Sequence, residues 1–155
     1  MNLAQALRKK NELVSKIGKL EGRVKQAMSY TEGRETYTQE DYDRMRDELA
    51  TTRNKLLGLK QAMSAANRVD VDGTCVQDLI IKKGELKSLL DFVRQQRVMV
   101  DVGRINQWDD ESPEQIHREN AKDLDTRIDD LETELRETDD QINSMNGKIT
   151  VEWGE

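Results

Sequence analysis

A chain of 155 residues has room for one domain of ordinary size. Only 35% of it is hydrophobic and 4% aromatic, while 36% is charged, against about 25% in a typical domain. That is thin for a rounded core but normal for long helices packed along narrow seams, and the net charge of -6 argues against general nucleic-acid binding. Disorder is the competing reading of such a composition. It fails because the apolar residues are strictly periodic.

No stretch approaches the roughly 20 apolar residues of a membrane span. The opening residues lack the apolar core of a signal peptide. The single cysteine, Cys75, excludes an intrachain disulfide framework. These features together lead to the expectation of a cytoplasmic protein without a membrane partner.

The first predicted helix spans about residues 2–28, with Leu3, Ala6, Leu13, Ile17, Leu20, Val24 and Ala27 on one side and Lys10 at a seam position. A polar loop follows. Thr38, three residues before Asp41, suits an N-cap for a second helix over 39–66. That helix carries the most regular seam: Tyr42, Met45, Leu49, Thr52, Leu56, Leu59, Met63, Ala66. It ends near Asn67, and Asp72-Gly73 marks a tight turn.

The third helix is predicted over 75–97, with Thr74 and Gln77 as a capping box. Its seam is Val76, Leu79, Leu86, Leu90, Val93 and Val100, widened by Ile80 and Leu89 and interrupted by Lys83, Gly84 and Arg97. Residues 98–102 alternate in polarity, and so do residues 149–153. Either stretch fits a short strand, and the two fit together as a minor β-ribbon. A long loop, 103–118, contains the only proline, Pro113.

The fourth helix, 119–146, has apolar residues at Leu124, Ile128, Leu131, Leu135, Ile142 and Met145, with Thr138 in the one polar slot. This spacing of four and three is a heptad seam, and nearly everything off it is polar or acidic. So narrow a stripe is stable in water only against other helices. The chain therefore reads as all-α: one helical domain, 1–155, of four long amphipathic helices in antiparallel hairpins or a bundle.

Charge is distributed unevenly. Residues 1–29 carry +5 and residues 103–155 carry -10. A basic first helix and an acidic last helix are natural neighbours, within a chain or between chains.

Three elements carry a family resemblance: the opening Met1-Asn2-Leu3-Ala4-Gln5-Ala6-Leu7 before a basic helix, Asn67-Arg68 followed by Asp72-Gly73-Thr74 and Asp78-Leu79, and the late run Leu124, Leu131, Leu135, Asp139, Ile142, Asn146. In that order they resemble the septicolysin family of small bacterial helical proteins. The resemblance implies the helical fold. The cytolytic activity in the family's name finds no support in these residues, which offer no barrel-length alternating strands.

No motif of catalysis or metal binding stands out, and no cofactor is expected. Cys75 lies near a helix start, where a thiol pKa falls, but reads as an incidental cysteine. His117 has Glu114 and Glu119 nearby, which is short of the four ligands of a structural metal site. The acidic run 109–114 lacks EF-hand spacing and reads as a solvated face.

One loop constellation suits a ligand. Asn67 and Arg68 lie at one turn, and Arg104, Asn106, Gln107 and Trp108 lie in the long loop. Guanidinium forks, amides and an aromatic face fit a small anionic or nucleotide-like molecule, with the two loops brought together between subunits. The alternative is ordinary turn chemistry, with Trp108 covering a helix end.

Two functions are therefore expected. The first is a non-enzymatic homo-oligomer that acts by binding, as a scaffold or adaptor. The second is an oligomeric protein that binds or sequesters a ligand at those loops.

Overall fold

The computed structural model describes residues 1–105 and 118–154. It contains four α-helices: α1 (Leu3–Ala27), α2 (Gln39–Ala66), α3 (Val76–Ile105) and α4 (Ala121–Lys148). The fold is all-α, as the seams require. The chain forms two compact units, residues Met1–Asp70 with Met145–Glu155, and residues Val71–Ser144.

In the first unit, each helix starts on a reciprocal cap. The Gln5 amide donates to Asn2 Oδ1 at 2.8 Å, and the Asn2 amide donates to Gln5 Oε1 at 3.0 Å. Thr38 and Asp41 repeat this arrangement at α2. The Asp41 carboxyl is held below its usual range, first by the Thr38 backbone amide and then by the Thr38 hydroxyl. These caps satisfy amide groups that a helix start otherwise leaves orphaned. Leu3, Ala6, Leu13 and Leu20 of α1 and Thr52, Leu59, Met63 and Ala66 of α2 are buried. All eight lie on the predicted seams.

Beyond α4 the chain runs extended along the start of α1. The Leu3 amide donates to Ile149 O (3.1 Å), the Val151 amide donates to Met1 O (2.7 Å), and Asn2 and Thr150 form an isolated antiparallel bridge. Ile149 and Val151 are buried while Thr150 and Glu152 are exposed, so the predicted alternation is real. Two residues further, Trp153 lies on Gly58, where an added Cβ would stand 3.5 Å from the indole nitrogen. The start of α1 therefore lies beside the second half of α2, and the two helices run antiparallel.

The predicted ribbon between 98–102 and 149–153 does not form. Residues 98–101 continue α3, because Val100 stands seven residues after Val93 and joins the buried cluster with Leu86, Leu90, Leu124 and Leu131. A heptad position outweighs local alternation here, and α3 extends well past the predicted end at 97. The tail pairs with the chain's own N-terminal residues instead.

In the second unit, Asp72 (φ 55°) and Gly73 (φ 83°) make a tight turn, with Val71 and Thr74 exchanging both backbone hydrogen bonds. Two positive φ values define the hairpin turn favoured by Asp-Gly. Thr74 is thus engaged in the turn. The first helical bond of α3 comes from the Leu79 amide to Cys75 O, which places Cys75 at the cap. At α4, Asn120 Oδ1 caps the Asp123 amide at 2.8 Å.

Ion pairs fix how α3 and α4 meet. Lys82 pairs with Glu134 (2.9 Å), Arg94 with Glu132 (2.7 Å) and Arg97 with Asp125 (2.6 Å), while Lys83 pairs with Asp139. Partners move backward on α4 as positions advance on α3, so the pair is antiparallel. The bases that answer the acidic helix thus lie on α3. α1 pairs with α2 through its base Lys16 to Glu48 (2.7 Å) and through its acid Glu21 to Arg53.

Candidate functional surfaces

α3 is apolar on more than its seam. Ile81 (55% exposed), Leu89 (38%), Phe92 (54%) and Met99 (69%) are uncovered. Ile81, Phe92 and Met99 are separated by 11 and 7 residues, close to three and two whole turns, so they lie along one line. Leu89, three residues before Phe92, widens it. Between them stand the exposed, uncharged Ser88 and Gln95, and one carboxylate, the exposed Glu85 one turn after Ile81. The face spans about 27 Å of helix. Next to it, Gln96 Oε1 is buried with no hydrogen-bond partner among the described residues.

The second feature is a cleft of about 330 Å³ in the first unit. α1 contributes Lys9, Glu12, Leu13 and Lys16, and α2 contributes Glu48, Thr51, Thr52 and Lys55. Both sets follow the spacing i, i+3, i+4, i+7, which is one face of a helix. Trp153 closes the cleft from the C-terminal tail.

Leu13 and Thr52 are the buried members of the lining. The Thr52 hydroxyl donates to its own helix at Glu48 O (2.8 Å), so the threonine turns its hydrogen-bonding capacity away from the opening. Lys16 crosses the cleft to Glu48 and holds that carboxyl below its usual range, through the hydrogen bond first and charge second.

Arg97, anticipated as an irregularity in the α3 seam, is held between Asp125 and Asp101, and both hydrogen bonds raise its pKa further above the usual range. Its side chain is 24% exposed, and its charge helps set the α3–α4 register.

The residues predicted to hold a ligand fare differently. Asn67 caps α2, its amide donating to Met63 O (2.9 Å), and the Arg68 amide donates to Ala65 O (3.1 Å). The Arg68 side chain is exposed. The backbone amides of both close the helix end. Arg104 lies in the last turn of α3 and not in a loop. Asn106, Gln107 and Trp108 lie outside the described residues, as do Glu114, His117 and the acidic run 109–114. Among the described residues there is no group of three or more His, Cys, Asp or Glu able to hold a metal ion. No described helix is long and apolar enough to cross a membrane.

The cleft was not foreseen, although its signal is in the sequence. Charged residues repeat at one face beside Leu13 and again beside Thr52, but only the antiparallel pairing of α1 with α2 makes the two repeats meet. The tail alternation pointed to buried Ile149 and Val151 and gave no hint of where Trp153 would land.

The fold defines a small all-α protein built from two antiparallel helix pairs. The chain belongs to DUF6847, a family of unknown function, whose model matches residues 10–151. Its structure is similar to that of a functionally unknown conserved protein from Corynebacterium diphtheriae, at 18% identity over 94% of this chain and 95% of that one, with a TM-score of 0.73. At that identity the likeness is one of fold. No curated protein matches. The septicolysin name finds no support in these comparisons; the small helical fold that the resemblance implied is present.

Proposed function

We propose that this protein is a non-enzymatic, self-associating helical protein of the cytoplasm, working as a scaffold or adaptor, with the outer face of α3 as its contact surface. The observation that carries the reading is the line Ile81, Phe92, Met99, with Leu89 beside it, left bare to water. Monomeric proteins seldom leave aligned large apolar side chains uncovered without use.

A second copy is the occupant this face suits. A two-fold axis sets the residue on the axis against its own symmetry mate, so a charge at the centre of such a contact repels itself. Here the centre is Phe92, flanked by the neutral Ser88 and Gln95. Antiparallel pairing about Phe92 stacks the two rings, lays Leu89 against Gln95 of the copy and brings the Met99 thioether beside the methylenes of the copy's Glu85. One helix face about 27 Å long falls short of the roughly 800 Å² per partner of a tight complex. The association is therefore of the weak, exchanging class.

Analytical ultracentrifugation tests it. The expected result is a concentration-dependent shift toward dimer up to roughly 100 µM, a range set by micromolar-class affinity. Phe92→Glu abolishes the shift while circular dichroism stays helical. A wild-type monomer throughout that range would overturn the reading, and so would a dimer indifferent to Phe92→Glu.

A further inference from the structure

We propose that the cleft between α1 and α2 binds a small zwitterion bearing a flat apolar group, of the aromatic amino-acid class. This site lies in the first unit, and its argument is independent of the α3 face.

Charge selects the ligand. Lys16 and Glu48 neutralise each other across the cleft at 2.7 Å. Lys9, the fifth charged residue of the lining, is already engaged, whereas Glu12 on the α1 wall and Lys55 on the α2 wall join no ion pair with another described residue. An opposite pair of charges thus lines one opening without being joined. A pure anion would meet Lys55 favourably but face the Glu12 carboxylate, a repulsion that grows as water leaves the cleft. A pure cation meets the reverse problem. A molecule carrying both signs answers both walls, its carboxylate toward Lys55 and its ammonium toward Glu12.

Shape and polarity select the remainder. Leu13 and Thr52 are the buried members, and the Thr52 hydroxyl is already engaged by the Glu48 carbonyl, so both present carbon surface. Trp153 forms a further wall. Its indole rests over Gly58 of α2, 3.5 Å from where a Cβ would stand. An aromatic ring offers its face to a flat partner or an ammonium group alike. A volume of about 330 Å³ lies at the small end of ligand sites. It suits one amino-acid-sized molecule with a few waters, each of about 30 Å³, and is too small for a dinucleotide.

The test uses the full chain carrying Trp108→Phe, which leaves Trp153 as the single tryptophan reporter. L-phenylalanine is titrated while indole fluorescence is followed. 3-Phenylpropionate, which lacks the ammonium, and phenethylamine, which lacks the carboxylate, are titrated alongside, together with inorganic phosphate. The expected result is a saturable change with phenylalanine and at least tenfold weaker binding of both analogues. Glu12→Gln should remove the preference over phenylpropionate, and Lys55→Gln the preference over phenethylamine. Both positions are exposed at the cleft mouth, so these charge-removing changes leave the fold intact, checked by circular dichroism.

A signal with phenylpropionate or phosphate equal to that with phenylalanine would overturn the proposal in favour of a plain cationic patch. Absence of any saturable change with phenylalanine would also overturn it. Neither outcome bears on self-association, which is read separately by sedimentation.

Discussion

Each unit buries one threonine in a seam otherwise built of leucine, valine and their kin, and handles it in the same way. Thr52 in α2 and Thr138 in α4 are 4% and 2% exposed, and each donates its hydroxyl to the carbonyl four residues back at 2.8 Å. The cost of a buried hydroxyl is met within the helix, so neither threonine depends on a neighbour. Beyond that shared device the two units differ. The first closes its helix starts with reciprocal caps and uses the C-terminal tail as a cover, burying Ile149 and Val151. The second sets its register with a row of ion pairs between α3 and α4 and leaves an apolar face of α3 bare. The contrast separates a unit covered by its own C-terminal tail from one whose α3 leaves Ile81, Phe92 and Met99 along one uncovered line.

The largest test of that contrast is to charge the cover. Val151→Asp places a carboxylate at a position 1% exposed, and an unpaired buried charge costs about 3 kcal/mol or more. For a chain of this size that lowers the melting temperature by roughly 10 °C. The control is Val98→Asp, at a site 59% exposed, which should change stability by about 0.5 kcal/mol or less. Equal losses from the two variants would mean that the tail is not a structural cover.

A smaller effect is expected from the ion pairs. Arg97→Met removes the guanidinium shared by Asp125 and Asp101 and should lower the melting temperature by more than Arg53→Met does on α2, because Arg97 is 24% exposed and Arg53 59%. Salt should shrink both losses, since exposed pairs are screened. If raising the salt concentration leaves the Arg97→Met loss unchanged, its contribution is packing and not charge.

The smallest effect concerns acid. The Glu48 pKa is depressed in the folded chain, so its contribution to stability is present above the ordinary value of 4.5 and is lost as pH falls through the lower folded value. Wild type should therefore lose melting temperature below about pH 4.5 more steeply than Glu48→Gln, with the two curves converging in strong acid. Parallel curves across that range would show that Lys16 gives Glu48 no folded-state advantage.

Much of the helical plan was legible because a seam leaves a period that does not depend on what fills it. Leu13, Leu20, Leu59, Met63, Leu124 and Leu131 declare their buried side from spacing alone, and Thr38-Asp41 and Asp72-Gly73 declare their local geometry from side-chain and backbone chemistry. Where two periods compete the reading fails. Val98, Val100 and Val102 alternate like a strand, yet the heptad step from Val93 to Val100 wins because it buries Val100 with α4. The candidate sites were less legible. The backbone of Asn67 and Arg68 closes a helix end, whereas Glu12, Lys55 and Trp153 look like ordinary surface residues and share a cleft.

What the sequence determined by itself is local: helix positions, caps, the tight turn and which edge of each helix is greasy, since these follow from interactions within a few residues. Pairing was decided by the tertiary structure. The charge polarity of the ends suggested that α1 and α4 belong together, but the acids of α4 meet Lys82, Lys83, Arg94 and Arg97 of α3. Similar seams and scattered charges permit several pairings of nearly equal energy, and the shape matching and tail cover that choose among them exist only once the chain has folded.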